Sequence, residues 1–164
     1  MRSMLALTLA ASLCVVPALA EEGTYDVKQL TPEVALKAAK AAMDACRAQG
    51  WQAAAVVVDR GGNVQAAIRD RFAGPHTVPV ATGKAWTAVS FRTNTTELVG
   101  ITGPGMPQAG LRDVPGATVI GGGLKIEVAG SIVAGIGVSG APGGDADDVC
   151  AKAGIKAIED VLLF

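Results

Sequence analysis

Side chains suited to ligand chemistry gather in one stretch, where a predicted strand ends and a predicted helix begins. His76 is the only histidine of the 164-residue chain, and a neutral imidazole in an exposed loop can bind a metal. The alternative is a solvated histidine, or one that caps the helix. Arg69 and Asp70 end the strand before this loop, and Lys84 lies one turn into the helix. Lys84 therefore either binds a ligand carboxylate or forms a structural ion pair with a residue such as Asp70.

Two groups of glycines offer backbone rather than side-chain chemistry. The run Gly121-Gly122-Gly123 either presents N–H groups to an anion or is a kink between strands. The glycines between Gly135 and Gly140 match the spacing of a dinucleotide-binding fingerprint. Only one predicted helix follows them, with no further strand and no acidic residue placed to bind a ribose. We therefore reject nucleotide binding and expect these glycines to permit close contact between a helix and the sheet.

Several other functions lack support in the sequence. With one histidine and no ordered Ser and Asp partners, Ser–His–Asp hydrolysis has no basis. No group of Cys and His has the spacing of a zinc site. The formal net charge of the chain is −1 and no block of basic residues occurs, which argues against nucleic acid or an anionic membrane as a partner.

Residues 1–20 have the pattern of a secretory signal peptide. Arg2 provides a positive start, Met4–Val16 is almost wholly apolar, and the segment ends on a small-x-small cleavage sequence. The apolar run is shorter than the ~20 residues that a membrane-spanning helix needs, which argues against an uncleaved anchor. We therefore expect a periplasmic or secreted protein that has no membrane association after cleavage.

The remaining chain has the length of one domain, preceded by a short polar leader. We expect the leader over residues 21–30 and the domain over residues 31–164. Without Arg2, 13 of the 14 basic residues remain against 15 acidic ones, so the mature net charge is about −2.

The predicted element order is α-β-β-α-β-β-β-α, which gives an α+β fold with one antiparallel five-stranded sheet and flanking helices. A first helix begins after Thr31 and ends at Gly50, a second covers Val78–Arg92, and the last runs from about Asp145 to Leu162. Thr93–Val99 either continues the second helix or forms a short one. The predicted strands are Gln52–Asp59, Val64–Asp70, Ala117–Ile120, a strand over Leu124–Val128, and Ile132–Ser139.

The hairpin near the C-terminus is the best-defined part of this sheet. Leu124, Ile126 and Val128 alternate with less apolar residues, which predicts one buried face. Ala129-Gly130 predicts a tight turn. The strand after it is apolar on both faces, so we expect it to be the most buried strand of the sheet. Between the second helix and this hairpin, residues 101–116 are rich in Gly and Pro, which predicts an irregular excursion that could cover a pocket as a lid.

Two cysteines of the mature chain lie in helices that the fold can bring together. Cys46 is near the end of the first predicted helix and Cys150 near the start of the last. If these helices pack antiparallel on one face of the sheet, the two residues meet, and an oxidising compartment allows a disulfide. Two buried free thiols are the alternative.

Three motifs resemble the GlcG/HbpS-like haem-binding family. They are AxxKAxTA at Ala81–Ala88, GGGLKI at Gly121–Ile126 and GIGVSGA at Gly135–Ala141. The similarity covers roughly Leu30 to Leu162. It implies a profilin-like fold, a homo-oligomer and haem as a cofactor, because some members bind haem and are described as haem-degrading or haem-sensing. The Asp/Glu-x-x-Glu pattern linked to iron binding in some members is absent from the mature chain.

This resemblance gives a first hypothesis, that the protein binds haem or a related tetrapyrrole in an apolar groove. The groove would lie between the loop of His76, the second helix and the kink at Gly121. His76 is the candidate iron ligand, with Tyr25 and Met106 as alternatives, while Lys84 and Arg69 are candidates for the propionates. Gly122 and Gly123 are further candidate ligand-binding residues. A second hypothesis is a small-carboxylate-metabolite binding protein or enzyme that uses the same groove, and a third is a structural oligomer without a ligand.

Overall fold

The structure is a computed structural model and describes residues 23–162. Within this part the chain forms four α-helices, four β-strands and two short 3-10 segments. The helices are α1 (Pro32–Ala48), α2 (Thr77–Ser90), α3 (Thr95–Ile101) and α4 (Gly144–Lys156), and the strands are β1 (Ala54–Asp59), β2 (Val64–Arg69), β3 (Gly123–Val128) and β4 (Ser131–Ser139). The predicted signal peptide lies outside the described residues.

The strands form one antiparallel sheet in the order β2-β1-β4-β3. The strand predicted over Ile132–Ser139 forms as β4 and is internal, hydrogen-bonded to β1 on one side and to β3 on the other, and all of its residues from Val133 to Ser139 are buried. α1 and α4 cover one face of the sheet, where they enclose most of the core. α2 covers the other face and packs on Val56 and Val58. The α+β class with an antiparallel sheet and flanking helices is thus confirmed.

The fifth predicted strand is wrong. Ala117–Ile120 forms no strand in the described structure. The N–H group of Thr118 instead donates to the hydroxyl of Thr87 on α2, at 2.8 Å, and the carbonyl of Val119 accepts a hydrogen bond from Arg112. The backbone of this segment is hydrogen-bonded to side chains rather than to a neighbouring strand. Its apolar residues therefore predicted a strand that does not form.

The helices after α2 agree in part with the predictions. Of the two alternatives for residues 93–99, the structure contains the separate short helix, α3. The last helix ends at Lys156 instead of near Leu162, and a turn follows that buries Ile158 completely, before a 3-10 segment at Glu159–Val161. Of the excursion predicted over residues 101–116, Ile101 is the last residue of α3, and a 3-10 segment at Ala109–Asp113 is the only regular structure in the rest. Among the described residues, no helix combines the length and apolar character that crossing a bilayer requires.

The β3–β4 hairpin has the predicted alternation and turn. Leu124 and Ile126 are buried, whereas Glu127 is exposed. The two turn residues, Ala129 and Gly130, both have positive φ angles, 48° and 77°. This is the conformation that matches the twist of a tight β-hairpin.

Gly135 and Gly137 allow α2 to lie directly against β4. A Cβ atom on Gly137 would lie 2.0 Å from the carbonyl oxygen of Ala81, and one on Gly135 would lie 2.5 Å from a methyl group of Val89. Real Cβ atoms do not approach other atoms this closely, so a side chain at Gly137 would push the helix away from the sheet. The interpretation of these glycines as helix–sheet contacts is confirmed.

This contact predicts a large difference between two glycine-to-alanine substitutions. Gly137→Ala is expected to lower the free energy of unfolding by about 1–3 kcal/mol, because α2 must shift to admit the methyl group. Gly100→Ala on α3 is the matched control, since nothing lies within 4 Å of its Cβ position. Alanine is favoured over glycine in helices, so this control should leave stability unchanged or raise it by up to ~1 kcal/mol. Urea unfolding of both variants checks the prediction, and equal stability would contradict the close packing.

Cys46 on α1 and Cys150 on α4 are joined by a disulfide in the structure. The two sulfur atoms are 2.07 Å apart and the Cα atoms 5.4 Å apart. Both residues are fully buried in the core between these helices and the sheet. The bond connects the first and last helices of the domain across 104 positions of the sequence.

Candidate functional site

A groove of about 680 Å³ lies at the end of the sheet where β1 begins and β4 ends. The loop before α2, the first turns of α2 and the turn between β4 and α4 form its walls. Its volume is within the range of ordinary ligand pockets. Large apolar side chains supply much of the wall: Trp51, Phe72, Val80, Ile120 and Pro142.

His76 lines this groove from the residue just before α2. It is exposed, and its side chain makes no capping hydrogen bond to the helix, so the interpretation of His76 as a side-chain cap has no support. Among residues 23–162 neither ring nitrogen has a hydrogen-bond partner. The imidazole is therefore available to a ligand from the groove.

Phe72 lies on the same loop and is 79% exposed, which is unusual for a phenylalanine. The Arg71 guanidinium lies 5.9 Å from the centre of its ring, at a distance typical of a cation–π contact. The loop thus brings the aromatic ring of Phe72 and the imidazole of His76 to the groove, and it places the guanidinium of Arg71 next to that ring.

Lys84 lies at the base of the groove but is already bound within the protein. It is 1% exposed, and its Nζ donates to a carboxylate oxygen of Asp147 at 2.7 Å and to the carbonyl of Val138 at 2.9 Å. The other Asp147 oxygen accepts the N–H of Ala141 at 3.0 Å. Lys84 therefore ties α2 to the end of β4 and the start of α4, and its charge is neutralised there.

The proposed structural pairing of Lys84 with Asp70 is wrong. Asp70 is buried and accepts a hydrogen bond from the Nε of Arg47 on α1, at 2.8 Å. The hydrogen bond from Arg47 holds the pKa of Asp70 below its ordinary value. Lys84 instead reaches the start of α4, where a carboxylate oxygen of Asp147 lies 2.7 Å from its Nζ.

Burial controls the titration of the carboxylate that Lys84 contacts. Removal of water from Asp147 raises its pKa above the ordinary value, although the hydrogen bond from Lys84 acts in the opposite direction. Asp148, the neighbouring buried carboxylate, opposes ionisation of Asp147 by charge repulsion.

Arg69 does not line the groove in the described structure. It is exposed at the end of β2, and its guanidinium donates a hydrogen bond to the carbonyl of Ala73. That contact braces the loop that carries Phe72 and His76. Arg69 is thus near His76 in the sequence and supports the loop that carries it, but Arg69 does not contact Lys84.

The N–H groups of Gly122 and Gly123 are used inside the fold. Gly122 donates to a carboxylate oxygen of Asp148 at 2.6 Å, and Gly123 donates to the hydroxyl of Thr95 at 2.8 Å. Both glycines are buried, and Gly122 has a positive φ of 109°. Of the two interpretations of this run, the described contacts favour the kink that leads into β3.

The remaining iron-ligand candidates lie elsewhere. Tyr25 is 88% exposed and Met106 is also exposed, and neither lines the groove. Within residues 23–162 no group of three or more His, Cys, Asp or Glu side chains is placed to hold a metal ion. His76 is therefore the candidate ligand that the structure brings to the groove.

Sequence reasoning missed the walls of the groove. Trp51, Phe72 and Ile120 come from three separate loops, and no periodic pattern marks them. The available signal was Phe72, an aromatic residue in a charged loop in a chain with three phenylalanines. The role of Asp147 was also missed, because its partner Lys84 is 63 residues away in the sequence.

Comparison with known proteins gives matches over most of the described chain. The family model for the haem-degrading protein HbpS-like family matches residues 30–156. The crystal structure of a double mutant of Streptomyces reticuli HbpS is 39% identical, with a TM-score of 0.79, and the match covers 92% of this chain and 99% of that one. A search against curated proteins found no match.

Two more distant solved structures share the fold. Klebsiella pneumoniae protein ORFY is 26% identical with a TM-score of 0.78, over 82% of this chain and 94% of that one. A complex of PduOC with haem is 27% identical with a TM-score of 0.75, over 80% of this chain and 96% of that one. From the family match and the similarity to HbpS, we conclude that the chain belongs to the HbpS-like family of haem-degrading proteins.

Proposed function

We propose that this protein binds haem, or a related tetrapyrrole, in the groove beside His76. The observation that carries the proposal is an imidazole without a partner among the described residues, at the edge of an apolar groove of about 680 Å³. Membership of the HbpS-like family supports it. So does the fold shared with PduOC, whose crystal structure is a complex with haem.

The residues of the groove fit the chemistry of a porphyrin. A flat macrocycle needs apolar walls, which Trp51, Phe72 and Ile120 supply. Bound haem would supply an iron centre, and the His76 imidazole is the side chain that would ligate it. The propionates need cations, and the ammonium of Lys84 is already neutralised by Asp147. We therefore assign the propionates to the guanidinium of Arg71, which is next to Phe72 of the groove wall and stays exposed although Asp70 lies 3.9 Å away.

A titration with hemin tests this proposal. The wild-type protein is expected to shift the Soret band of hemin and to saturate at a fixed ratio. His76→Ala should change the position of the band, because the iron loses its imidazole ligand, and Phe72→Ala should weaken binding. Met106→Leu and Tyr25→Phe are the controls, since neither residue lines the groove, and both should behave as wild type. A flat titration at micromolar hemin would overturn the proposal, and a wild-type band in His76→Ala would overturn the assigned ligand.

A small carboxylate metabolite in the same groove is the competing proposal. It requires Lys84 and Arg69 to bind the carboxylate of the metabolite, but both side chains are already bound within the fold, which weighs against it. Thermal-shift measurements with a series of hydroxy acids and with hemin separate the two. If a hydroxy acid raises the melting temperature of the protein and hemin does not, the ligand of the groove is a carboxylate metabolite and not haem.

We further propose that the protein acts outside the cytoplasm, in the periplasm or secreted, as a homo-oligomer. The signal-peptide pattern of residues 1–20 supports this location, and so does a buried disulfide, which needs an oxidising compartment to form. Fractionation of cells that express the full chain, followed by N-terminal sequencing, tests the location. Light scattering of the purified protein gives the subunit number, and a monomer at all concentrations would overturn the oligomer.

A further inference from the structure

We propose that a second pocket, separate from the groove, binds a small oxyanion that carries two or more negative charges. The pocket has a volume of about 440 Å³ and lies at the opposite end of the sheet. There, β1 leads into Arg60 and β4 begins at Ser131, whereas the groove lies where Ala54 pairs with Ser139. The two sites therefore share no residue.

Cationic side chains from three different elements meet at this pocket. Arg60 comes from the β1–β2 turn, Arg92 from the end of α2 and Lys125 from β3. Glu127 is the single carboxylate among the lining residues, and it is paired with Lys125 at 3.2 Å. The pocket therefore carries an excess of two positive charges, which is what a divalent anion would neutralise.

The two guanidinium groups are not used by the fold. Among residues 23–162 neither Arg60 nor Arg92 makes a side-chain hydrogen bond or an ion pair, in contrast to Arg47, Arg69 and Arg112, which all do. A planar guanidinium matches the oxygens of phosphate and carboxylate groups. Two such groups without protein partners, at the mouth of one pocket, point to an oxyanion from outside the chain.

The backbone at Arg92 supplies an independent observation. α2 ends in a Schellman motif, in which the N–H of Arg92 donates to Val89 and the N–H of Thr93 donates to Ala88. The residue at this position must adopt a left-handed conformation and is usually glycine. Arg92 has a φ of 53° there. Termination of α2 alone therefore favours glycine at this position. Backbone strain of this kind is typical of ligand-binding sites, and binding of the anion by the Arg92 side chain explains why an arginine is present.

Hydroxyl groups complete the donor set. Ser90 at the end of α2 and Ser131 at the start of β4 both line the pocket. They can donate hydrogen bonds to oxygens that the guanidinium groups leave free. Inorganic phosphate, a phosphate monoester and a di- or tricarboxylate all have this chemistry in common.

A purely structural role makes a different prediction for Arg92. Cations near the C-terminus of a helix stabilise its dipole, so a structural Arg92 would make Arg92→Gly less stable than wild type. A ligand-binding Arg92 predicts the reverse, because glycine relieves the left-handed strain. The unfolding midpoint without added anion should then be equal or higher in Arg92→Gly.

Calorimetric titration with inorganic phosphate and with citrate, at ionic strength matched by NaCl, tests the proposal. The wild-type protein is expected to bind about one anion per chain for at least one of the two probes, and the probe that binds identifies the source as phosphate or polycarboxylate. Arg92→Gly and Arg60→Gln should each weaken that binding by about tenfold or more, since each removes a charge-assisted contact. Arg60→Lys should retain part of it. Lys152→Gln, which removes an exposed charge on α4, is the control and should bind as wild type.

Three results would overturn the proposal. They are the absence of saturable binding of either probe, wild-type affinity in Arg92→Gly, and a lowered unfolding midpoint of Arg92→Gly without anion. The hemin spectrum of these variants is expected to stay that of wild type, because the groove is at the other end of the sheet. Failure of the anion site therefore leaves the proposed haem site standing, and the reverse also holds.

Discussion

Lys84→Met is expected to lower the free energy of unfolding by about 3–5 kcal/mol, because it leaves the carboxylate of Asp147 buried without its partner. Both members of this pair are nearly inaccessible to water. Lys84 also satisfies the carbonyl of Val138, so the substitution removes two hydrogen bonds together with the charge. Urea unfolding at neutral pH measures the change.

Substitution of the partner residue, Asp147, provides the control for Lys84→Met. Asp147→Leu alone should also be strongly destabilising, because it leaves the ammonium of Lys84 buried. The double variant Lys84→Met, Asp147→Leu should recover most of the loss, since apolar residues can replace a buried ion pair at little cost. If Lys84→Met unfolds like wild type, the buried pair of the structure is contradicted.

The pH dependence of the same variant has a defined sign. Burial raises the pKa of Asp147 above its ordinary value of 3.8, so the folded protein holds that proton more tightly than the unfolded chain does. Stability linked to Asp147 therefore falls as the pH rises above 3.8. In Lys84→Met the carboxylate of Asp147 loses a hydrogen bond that lowers its pKa, so the pKa rises further above the ordinary value. The loss of stability with rising pH therefore becomes larger. The destabilisation by Lys84→Met should accordingly be smaller in acid than at neutral pH.

Reduction of the Cys46–Cys150 disulfide is expected to lower the free energy of unfolding by about 4–5 kcal/mol. The bond closes a loop of 104 positions, and the entropy that a cross-link removes from the unfolded chain grows with loop length. Guanidinium unfolding with and without reductant measures the difference. The variant Cys46→Ala, Cys150→Ala is the control, because reductant should no longer change its stability. Two titratable thiols in the denatured, unreduced protein would contradict the bond.

The sequence was most informative where a local pattern and the tertiary structure agree. The alternation of Leu124, Ile126 and Val128, followed by Ala129-Gly130, predicted a hairpin that the structure contains. The glycines of the next strand predicted a close helix contact, and α2 makes it. The turn prediction follows from the conformational freedom of glycine, and the contact prediction follows from its lack of a side chain. Both properties belong to single residues and can be read from the sequence.

The sequence was least informative where contacts join distant segments. Ala117–Ile120 has the apolar character of a strand, yet its N–H and carbonyl groups bond to the side chains of Thr87 and Arg112. Lys84 was correctly singled out, but its carboxylate partner, Asp147, lies 63 positions away at the start of α4, and no local pattern connects the two residues. The walls of the groove come from three loops, and their meeting is a property of the fold rather than of any one segment.

If haem binds at the end of the sheet that carries His76, ferric hemin should broaden the amide NMR signals of that end. Gallium protoporphyrin is the diamagnetic control. Signals from Phe72–Val80 and Gly140–Gly144 are expected to disappear with hemin, while those of the β1–β2 turn and of Ala129–Ser131 remain. Loss of signals at the opposite end of the sheet, or a spectrum that hemin does not change, would contradict haem binding at the His76 end.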